Sequence, residues 1–345
     1  MNMRYPTIAI TLGDPGGIGP EVTVKALARL KKEPAFRRTR FILIGLKKLY
    51  ESLARKGKLR LKFEELSSLA SDPKFLSPGV LYVLDMGDQE KASLNAYSMG
   101  KVSRRNAILA YASLNAGAYL ATSGLVQGLV TSPVHKEAMR LVDRKFVGHT
   151  EYLAAAAKVR KFAMMFDAGR LKVTLVTIHV PLKRVSASIT QEDIMTKIRL
   201  THQFLRRFYG LKKPRIAVSA LNPHGKEFGL EEERKIVPAV RVMRKRNINV
   251  TGPLPGDTVF YEAYRGHYDA VIAMYHDQGL APLKTVAFDR AVNVTLGLPF
   301  VRTSPDHGTA FNLAGKNLAD GSSMLAAIQL ACRLSTRLCI QKHSA

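Results

Sequence analysis

The chain has 345 residues, of which 46% are hydrophobic, and its formal net charge is +26. Its length exceeds the ~250–300 residues at which one core usually stops growing, so we expect a globular protein of two lobes. Two cysteines and the lack of a long apolar run exclude a disulfide framework, a signal peptide and a transmembrane helix, which predicts a cytoplasmic protein with no membrane partner.

The excess of positive charge has two interpretations, a polyanionic partner or solvated helix faces. Basic residues cluster in five scattered segments, 29–40, 55–62, 104–105, 206–213 and 241–246. No zinc finger, aromatic RNA-binding box or basic zipper accompanies them. We therefore expect solvated faces that favour anionic small molecules, with no specific nucleic acid as partner. A basic nucleic-acid-binding protein is the remote alternative.

Short apolar runs alternate with longer amphipathic stretches along the whole chain. Strands are predicted, in chain order, within TIAITLGD, RFILIGL, VLYVLDM, GLVTSPV, KVTLVTIHV, RIAVSALNP and YDAVIAMYH. Helices are predicted at Pro20–Lys32, Ser103–Thr122, Gln191–Tyr209, Glu231–Asn247 and 322–339. This alternation is typical of an α/β fold with a mainly parallel sheet. Arg184–Thr190, which contains VSASIT, is expected to be a strand outside the parallel pattern.

Three histidines come at or just after the ends of predicted strands. They are His179, His224 and His276. Because ligands bind at the carboxyl ends of parallel strands, these imidazoles are candidates to hold one divalent cation. Three protein ligands with an open position are typical of a catalytic metal site. Taken singly, each histidine is more often a hydrogen-bonded structural residue.

Other polar residues lie in turns that suit a binding site. The glycine-rich turn GDPGGIGPE follows the first strand and opens a helix, but it fits neither nucleotide-binding glycine motif. His149 and Thr150 precede an apolar helix, where Thr150 has the alternative role of helix cap. Asp257 has three alternatives: a base, a partner of a metal-ligating histidine, or a helix cap. Asp277, beside His276, has the same ambiguity.

The segment 275–316 is rich in polar residues. Lys284 and Arg302 suit phosphate or carboxylate groups, and Asn293 interrupts an apolar run, where its side chain needs a partner if buried. A polar, glycine-containing loop then runs from Ser304 to Lys316. Such a loop can wrap an adenosine, although its composition also fits an ordinary connection.

Taken in order, GDPGGIGPE, GHTE, LNPHGKE, PGDTVF, YHDQGLAPLK and SPDHGTAFNLAGK resemble the 4-hydroxythreonine-4-phosphate dehydrogenase (PdxA) family over essentially the whole chain. That family is related to the isocitrate and isopropylmalate dehydrogenases. The resemblance implies two α/β/α lobes with the active site in the cleft between them. Residues 1–128 with 303–345 would form the cofactor-side lobe, and 129–302 the metal, substrate and dimerisation lobe. It also implies a homodimer whose metal site takes histidines from both subunits.

The resemblance also implies roles for individual residues. It makes His179, His224 and His276 ligands of one zinc, magnesium, manganese or cobalt ion. The implied substrate-binding residues are His149, Thr150, Lys284, Asn293 and Arg302, and the implied cofactor-binding residues are His307, Gly308, Thr309, Ala310 and Asn312. Lys284 is also given a catalytic role, and Asp257 is our candidate for the base.

The implied reaction is a metal-dependent oxidation of 4-phosphooxy-L-threonine by NAD or NADP, followed by decarboxylation to 3-amino-2-oxopropyl phosphate in pyridoxal 5′-phosphate (vitamin B6) synthesis. Related enzymes oxidise phospho-threonate, phospho-erythronate or aromatic dihydrodiols, and the motifs separate these substrates poorly. Asn312 stands where the related dehydrogenases have aspartate. The neutral amide would not repel a 2′-phosphate, so NADP is plausible beside NAD.

Overall fold

The structure is a computed structural model that describes residues 5–66, 73–87, 97–225 and 227–341. Chain contacts divide it into two compact units, Met1–Lys158 with Leu298–Ala345, and Val159–Gly297. The first boundary falls later in the chain than the predicted one after residue 128, because Gly128–Val130 pairs with the first strand and His149–Ala156 packs against Arg104–Thr122. The functional assignment of the lobes stays a prediction.

The described residues form strands and helices in alternation. The strands are β1 (Thr7–Thr11), β2 (Arg40–Gly45), β3 (Phe63–Leu66), β4 (Leu81–Asp85), β5 (Gly128–Val130), β6 (Ala163–Ala168), β7 (Leu171–Leu175), β8 (Ile216–Ser219), β9 (Val250–Leu254), β10 (Ala270–Ala273), β11 (Val292–Leu296) and β12 (Val301–Pro305). The α-helices are α1 (Gly19–Leu30), α2 (Pro34–Arg37), α3 (Lys47–Lys56), α4 (Arg104–Thr122), α5 (Lys136–Arg140), α6 (His149–Ala156), α7 (Val185–Ser188), α8 (Gln191–Phe204), α9 (Val237–Lys245), α10 (Gly256–Tyr264), α11 (His276–Ala287) and α12 (Ser322–Gln341).

The first unit contains a parallel sheet in the order β3-β4-β2-β1-β5-β12. Its central strands are buried throughout, as expected when helices cover both faces of a parallel sheet. Helix α12 packs on β12, β5 and α1. The helical segment Ser322–Ile340 is long and apolar enough to cross a membrane by length and composition alone. However, 56% of its apolar stretch is buried inside the protein, as in the core helix of a globular unit.

The second unit contains the strands β11-β6-β7-β10-β8-β9 in that order. The pairings of β6 with β11 and with β7 are antiparallel, whereas β7-β10-β8-β9 are parallel. Two apolar clusters form its core. One includes Ile194, Ile216 and Ile272, and the other includes Val173, Val271 and Leu283.

All seven predicted strands and all five predicted helices are present, and the α/β fold is confirmed. The strand predicted at Arg184–Thr190 is wrong, because this segment is helical and contains α7. Val185 and Ile189 are both buried in the core of the second unit, and a spacing of four residues places them on one face of a helix. The apolar residues of VSASIT therefore follow a helical spacing, but the segment is too short for that spacing to be recognised from the sequence.

Candidate functional site

The three predicted metal ligands follow three strands that are neighbours in the second unit. Strands β7, β10 and β8 end at Leu175, Ala273 and Ser219, and the histidines come three to five residues later. Parallel strands present their carboxyl ends along one edge of a sheet, so the chain brings all three histidines to the same edge. The rings of His179 and His276 have centroids 6.2 Å apart.

His276 is the best-supported of the three. It begins α11, and its Nδ1 lies 2.7 Å from Asp277 Oδ1, which leaves Nε2 as the nitrogen available to a ligand. Asp277 is thereby placed beside the histidine. The helix is seated tightly, because a Cβ on Gly279 would lie 2.7 Å from Val173 Cγ1. Packing therefore fixes the first turns of α11, and the contact with Asp277 orients the His276 ring.

His224 lies in a short 3₁₀ turn, Pro223–Gly225, with a left-handed backbone (φ 56°). This conformation is uncommon for a residue with a side chain. The ring is exposed and lies 6.2 Å, between centroids, from the Phe228 ring. Within the described parts of the chain, no three His, Cys, Asp or Glu side chains are grouped closely enough to hold a metal ion. His179 and His276 are thus brought together, but the set of three is not complete in one chain.

The His179 and His276 rings are neighbours, but they are wider apart than two ligands of one tetrahedral ion. With Zn–N bonds of about 2.0–2.1 Å, two imidazoles on such an ion have ring centroids ~5 Å apart. The centroids of His179 and His276 are 6.2 Å apart, so the two rings would have to move closer together to bind one ion. The chemistry of the donors, neutral imidazoles that suit zinc and cobalt, agrees with a transition-metal site.

A cavity of about 730 Å³ adjoins the His224 turn in the second unit. Its lining is mainly apolar and aromatic and includes Phe260, Tyr261 and Tyr264. Asp257 also lines it. This aspartate is exposed in the first turn of α10, where the capping position is taken by Pro255. The helix-cap alternative is therefore not what the structure has, and the other two alternatives stay open.

Lys284 and Asn293 lie on different elements of the second unit. Lys284 is in the last turn of α11, with Nζ 5.8 Å from the centroid of the Phe288 ring. Asn293 lies on β11, and its Oδ1 is buried without a hydrogen bond to any described residue. A buried polar atom without a partner is costly, so it points to a missing ligand or water.

In the first unit, His149 and Thr150 open α6 behind an extended Gly148, which is the capping residue. Thr150 is buried and is not the helix cap. Burial, together with the charges of Arg302 and Lys136, lowers the pKa of His149 to about 3. The imidazole is therefore neutral across the physiological range. Its Nε2 is buried and has no hydrogen-bond partner in the described chain.

Arg302 is a buried cation on the last strand of the first-unit sheet. It lies on β12, is 3% exposed, and donates to Thr131 Oγ1 from Nη2 at 2.7 Å and from Nε at 3.2 Å. Burial lowers its pKa to about 10, which still leaves the guanidinium charged at neutral pH. A buried positive charge beside a neutral imidazole is suited to the anionic and hydroxyl groups of a ligand.

The loop predicted to bind the cofactor packs on the glycine-rich turn of the first unit. Ile18 N–H donates to the carbonyl oxygen of Thr309 at 2.9 Å, and a Cβ on Gly17 would lie 2.8 Å from the same oxygen. His307 Nε2 is buried without a partner among the described residues. A Cβ on Gly308 would meet nothing within 4 Å. The loop therefore offers both an unused polar atom and open space to a ligand.

The other two residues predicted to bind the cofactor are Ala310, which has a left-handed backbone (φ 39°), and the exposed Asn312. Asp14 of the glycine-rich turn is buried, and burial raises the pKa of its carboxyl while a hydrogen bond from Gly16 N–H opposes the rise.

Four residues without a predicted role lie beside the candidate site residues. Thr131 and Lys136 adjoin the His149 and Arg302 groups, while Glu232 and Gln278 bind the segment that leads to His224. Gln278 was visible as a polar residue two positions after His276. Nothing in the sequence distinguishes Glu232 as a site residue, because it is one of three consecutive glutamates in a predicted helix.

Comparison with known proteins adds a family and named relatives. A model of the family described as pyridoxal phosphate biosynthetic protein PdxA matches residues 37–331. The chain is 41% identical over 340 residues to a 4-hydroxythreonine-4-phosphate dehydrogenase of Desulforapulum autotrophicum, covering 97% of each. It is 40% identical over 337 residues to a D-threonate 4-phosphate dehydrogenase of Salmonella typhimurium, covering 96% of this chain and 100% of the relative.

Solved structures agree with these relatives. A 4-hydroxythreonine-4-phosphate dehydrogenase from Klebsiella pneumoniae superposes with a TM-score of 0.86 at 38% identity, over 97% of this chain and 100% of its own.

Proposed function

The chain belongs to the PdxA family of pyridoxal phosphate biosynthetic proteins, and on that premise we propose that it oxidises 4-phosphooxy-L-threonine with NAD or NADP. The product, after loss of carbon dioxide, is 3-amino-2-oxopropyl phosphate. One observation carries the proposal: the buried Arg302 guanidinium near a neutral His149 imidazole, whose Nε2 has no hydrogen-bond partner among the described residues. This pair matches a substrate that has both anionic and hydroxyl groups.

The chain's own residues bind and orient the substrate in this proposal. Arg302 and Lys284 bind its phosphate or carboxylate, and Asn293 Oδ1 and Thr150 hold its polar groups. His149 stays neutral, so its Nε2 can donate or accept a hydrogen bond without a change of charge. Asp257 is the candidate base for the alcohol proton. A bound nicotinamide cofactor would supply the hydride acceptor, and a metal held by the histidines would supply Lewis-acid stabilisation of the substrate oxygen.

We propose that the metal centre is completed in a homodimer. The rings of His179 and His276 are neighbours, and His224 follows an adjacent strand of the same sheet. Exposed aromatic side chains beside the cavity, Tyr261 at 60% and Phe228 at 55%, supply an apolar surface for a second copy. Zinc, magnesium, manganese and cobalt stay open as the ion. A dimeric cytoplasmic enzyme of this kind needs neither a membrane nor a nucleic acid.

The cofactor is assigned to the loop that includes His307, Gly308, Thr309, Ala310 and Asn312. The buried Nε2 of His307 and the space beside Gly308 support this assignment. The choice between NAD and NADP stays open.

A second candidate substrate is phospho-threonate, because a relative at 40% identity is named for D-threonate 4-phosphate. Both substrates carry a carboxylate, a phosphate and an oxidisable hydroxyl, so Arg302, Lys284 and His149 would serve either one.

The test is a substrate panel with NAD(P)H absorbance as the readout. We expect turnover of 4-phosphooxy-L-threonine to exceed that of phospho-threonate, phospho-erythronate and a dihydrodiol carboxylate. His179→Ala is expected to lower kcat/KM at least ~100-fold, because a metal ligand is lost. The control is His267→Ala, an exposed histidine of the same unit that contacts Glu262. Metal-free protein with full activity in His179→Ala would contradict the proposal, and faster turnover of phospho-threonate would favour the second candidate.

A further inference from the structure

One side chain joins the ends of two strands that precede predicted metal ligands. Gln278 Nε2 donates to the carbonyl oxygen of Ala220 at 2.6 Å, and its Oε1 accepts from Met274 N–H at 2.7 Å. Ala220 follows β8 and Met274 follows β10. Gln278 lies in the first turn of α11, two residues after His276. The same amide therefore connects the His224 segment to the helix that presents His276.

A buried carboxylate holds the next two residues of the His224 segment. Glu232 is 1% exposed, and its Oε1 accepts from Leu221 N–H at 2.8 Å and from Asn222 N–H at 2.7 Å. Its Oε2 accepts from the Asn222 side-chain amide at 2.9 Å. Burying a carboxylate is costly unless it is hydrogen-bonded, so the bonds that satisfy Glu232 also fix this segment.

These bonds leave little freedom between β8 and His224. Ala220 N–H donates to Leu254 O at 2.7 Å, so successive peptide groups from Ala220 to Asn222 are each bound to another element. His224 comes two residues later, in a left-handed conformation that persists only when its surroundings hold it. A shift of residues 220–222 would therefore also displace the imidazole of His224.

We propose that Gln278 and Glu232 are positioning residues that fix the segment leading to His224 against the start of α11 before a metal ion binds. The inference rests on the proposed function, because it takes these histidines as metal ligands. Neither side chain would touch the metal, and both act through the backbone of residues 220–222. Partners that orient metal ligands are worth about 10–100-fold in affinity, so their removal is expected to weaken metal binding by that factor.

The experiment measures Zn²⁺ binding to the metal-stripped full-length protein by calorimetry, with thermal unfolding of the same samples. Gln278→Met keeps the side-chain length and removes both hydrogen bonds. Glu232→Gln keeps an acceptor for the backbone N–H groups but sets an NH₂ against the Asn222 amide. We expect Kd to rise about 10–100-fold in Gln278→Met and about tenfold in Glu232→Gln.

Asp269→Asn is the matched control. Asp269 immediately precedes β10, and its Oδ2 accepts at 2.7 Å from the N–H of Arg215, which immediately precedes β8. It therefore ties the same two strands at their opposite ends. We expect this variant to lose thermal stability while its Zn²⁺ Kd stays within twofold of wild type.

The outcomes separate this inference from the proposed function. A Kd raised in Gln278→Met and Glu232→Gln, and unchanged in Asp269→Asn at a similar loss of Tm, would support positioning. Unchanged Kd in both variants, whatever their Tm, would overturn it and leave the metal centre intact. Wild-type protein that binds no Zn²⁺ would overturn the metal centre itself. If one of the two variants does not fold, the other decides.

Discussion

The candidate anion-binding groups of the first unit are buried, whereas the candidate metal ligands of the second unit are exposed to solvent. In the first unit, Arg302 is 3% exposed and the Nε2 atoms of His149 and His307 are buried. In the second unit, the His276 side chain is 41% exposed, and His179 and His224 are also exposed. The predicted anion-binding groups are thus preorganised within one chain, whereas the predicted metal ligands are exposed to solvent.

This difference has a physical basis. The Arg302 guanidinium is held by the hydroxyl of Thr131, and the neutral imidazole of His149 is held by packing. Imidazoles that bind a metal must keep a nitrogen accessible until the ion arrives, and an incomplete donor set gains from a second chain. We therefore predict that disrupting the proposed dimer affects the second unit first.

The largest expected effect comes from Tyr261→Glu, which places a charge on the exposed, apolar rim of the cavity. A buried unpaired carboxylate would oppose association by several kcal/mol, so we expect a monomer in light scattering and Zn²⁺ binding at least ~100-fold weaker. The control is Tyr119→Glu, on an exposed tyrosine of α4 that does not line the cavity. A monomeric Tyr261→Glu protein with wild-type Zn²⁺ affinity would show that one chain completes the site.

An effect of intermediate size concerns His149 in the first unit. Its pKa is about 3 in the folded state, below the ordinary value of 6.5, so the unfolded chain binds the proton more readily. Stability is therefore lost as the pH falls from about 6.5 towards 3, by a few kcal/mol at most, since one pKa unit is ~1.4 kcal/mol.

His149→Gln removes this titration. We expect the free energy of unfolding, measured in urea between pH 7 and pH 4, to fall less steeply in the variant than in wild type. Equal slopes would mean that the imidazole is not desolvated, and the contrast between the two units would be weaker than described.

The smallest expected effect is a change of cofactor preference in Asn312→Asp. A carboxylate at this exposed position favours ribose hydroxyls and repels a 2′-phosphate. We expect the ratio of kcat/KM for NAD over NADP to rise about tenfold, or ~1.4 kcal/mol. An unchanged ratio would remove Asn312 from the cofactor site while leaving the buried groups of the first unit unaffected.

The sequence predicted the family, the enzyme class and the α/β fold, and all three are confirmed. Strands such as β1 and β10 were recognisable because both faces are buried and their sequences are continuously apolar. β6 was missed, since its polar Asp167 and mixed pattern do not read as a buried strand. α7 was mistaken for a strand because four residues are too few to separate the two periods.

Site residues could be predicted from the sequence where the residue type itself indicates the chemistry. They could not be predicted where the role depends on a partner that is distant in the chain. Histidines after strand ends pointed to an edge of the sheet, and the structure places three neighbouring strands there. The buried pairing of Arg302 with Thr131 joins residues 171 positions apart. No local pattern reports such a contact, and the same holds for Glu232 and residues 221 and 222.

The strand order of the first unit also bears on how the protein folds during synthesis. β12 pairs with β5, and α12 packs on both strands, yet both elements follow the whole second unit in the chain and are synthesised after it. The second unit is one continuous stretch, Val159–Gly297, and can fold while the first still lacks its final strand. Until then the edge of β5 stays unpaired, which is the stage at which a nascent or truncated chain is most prone to aggregate.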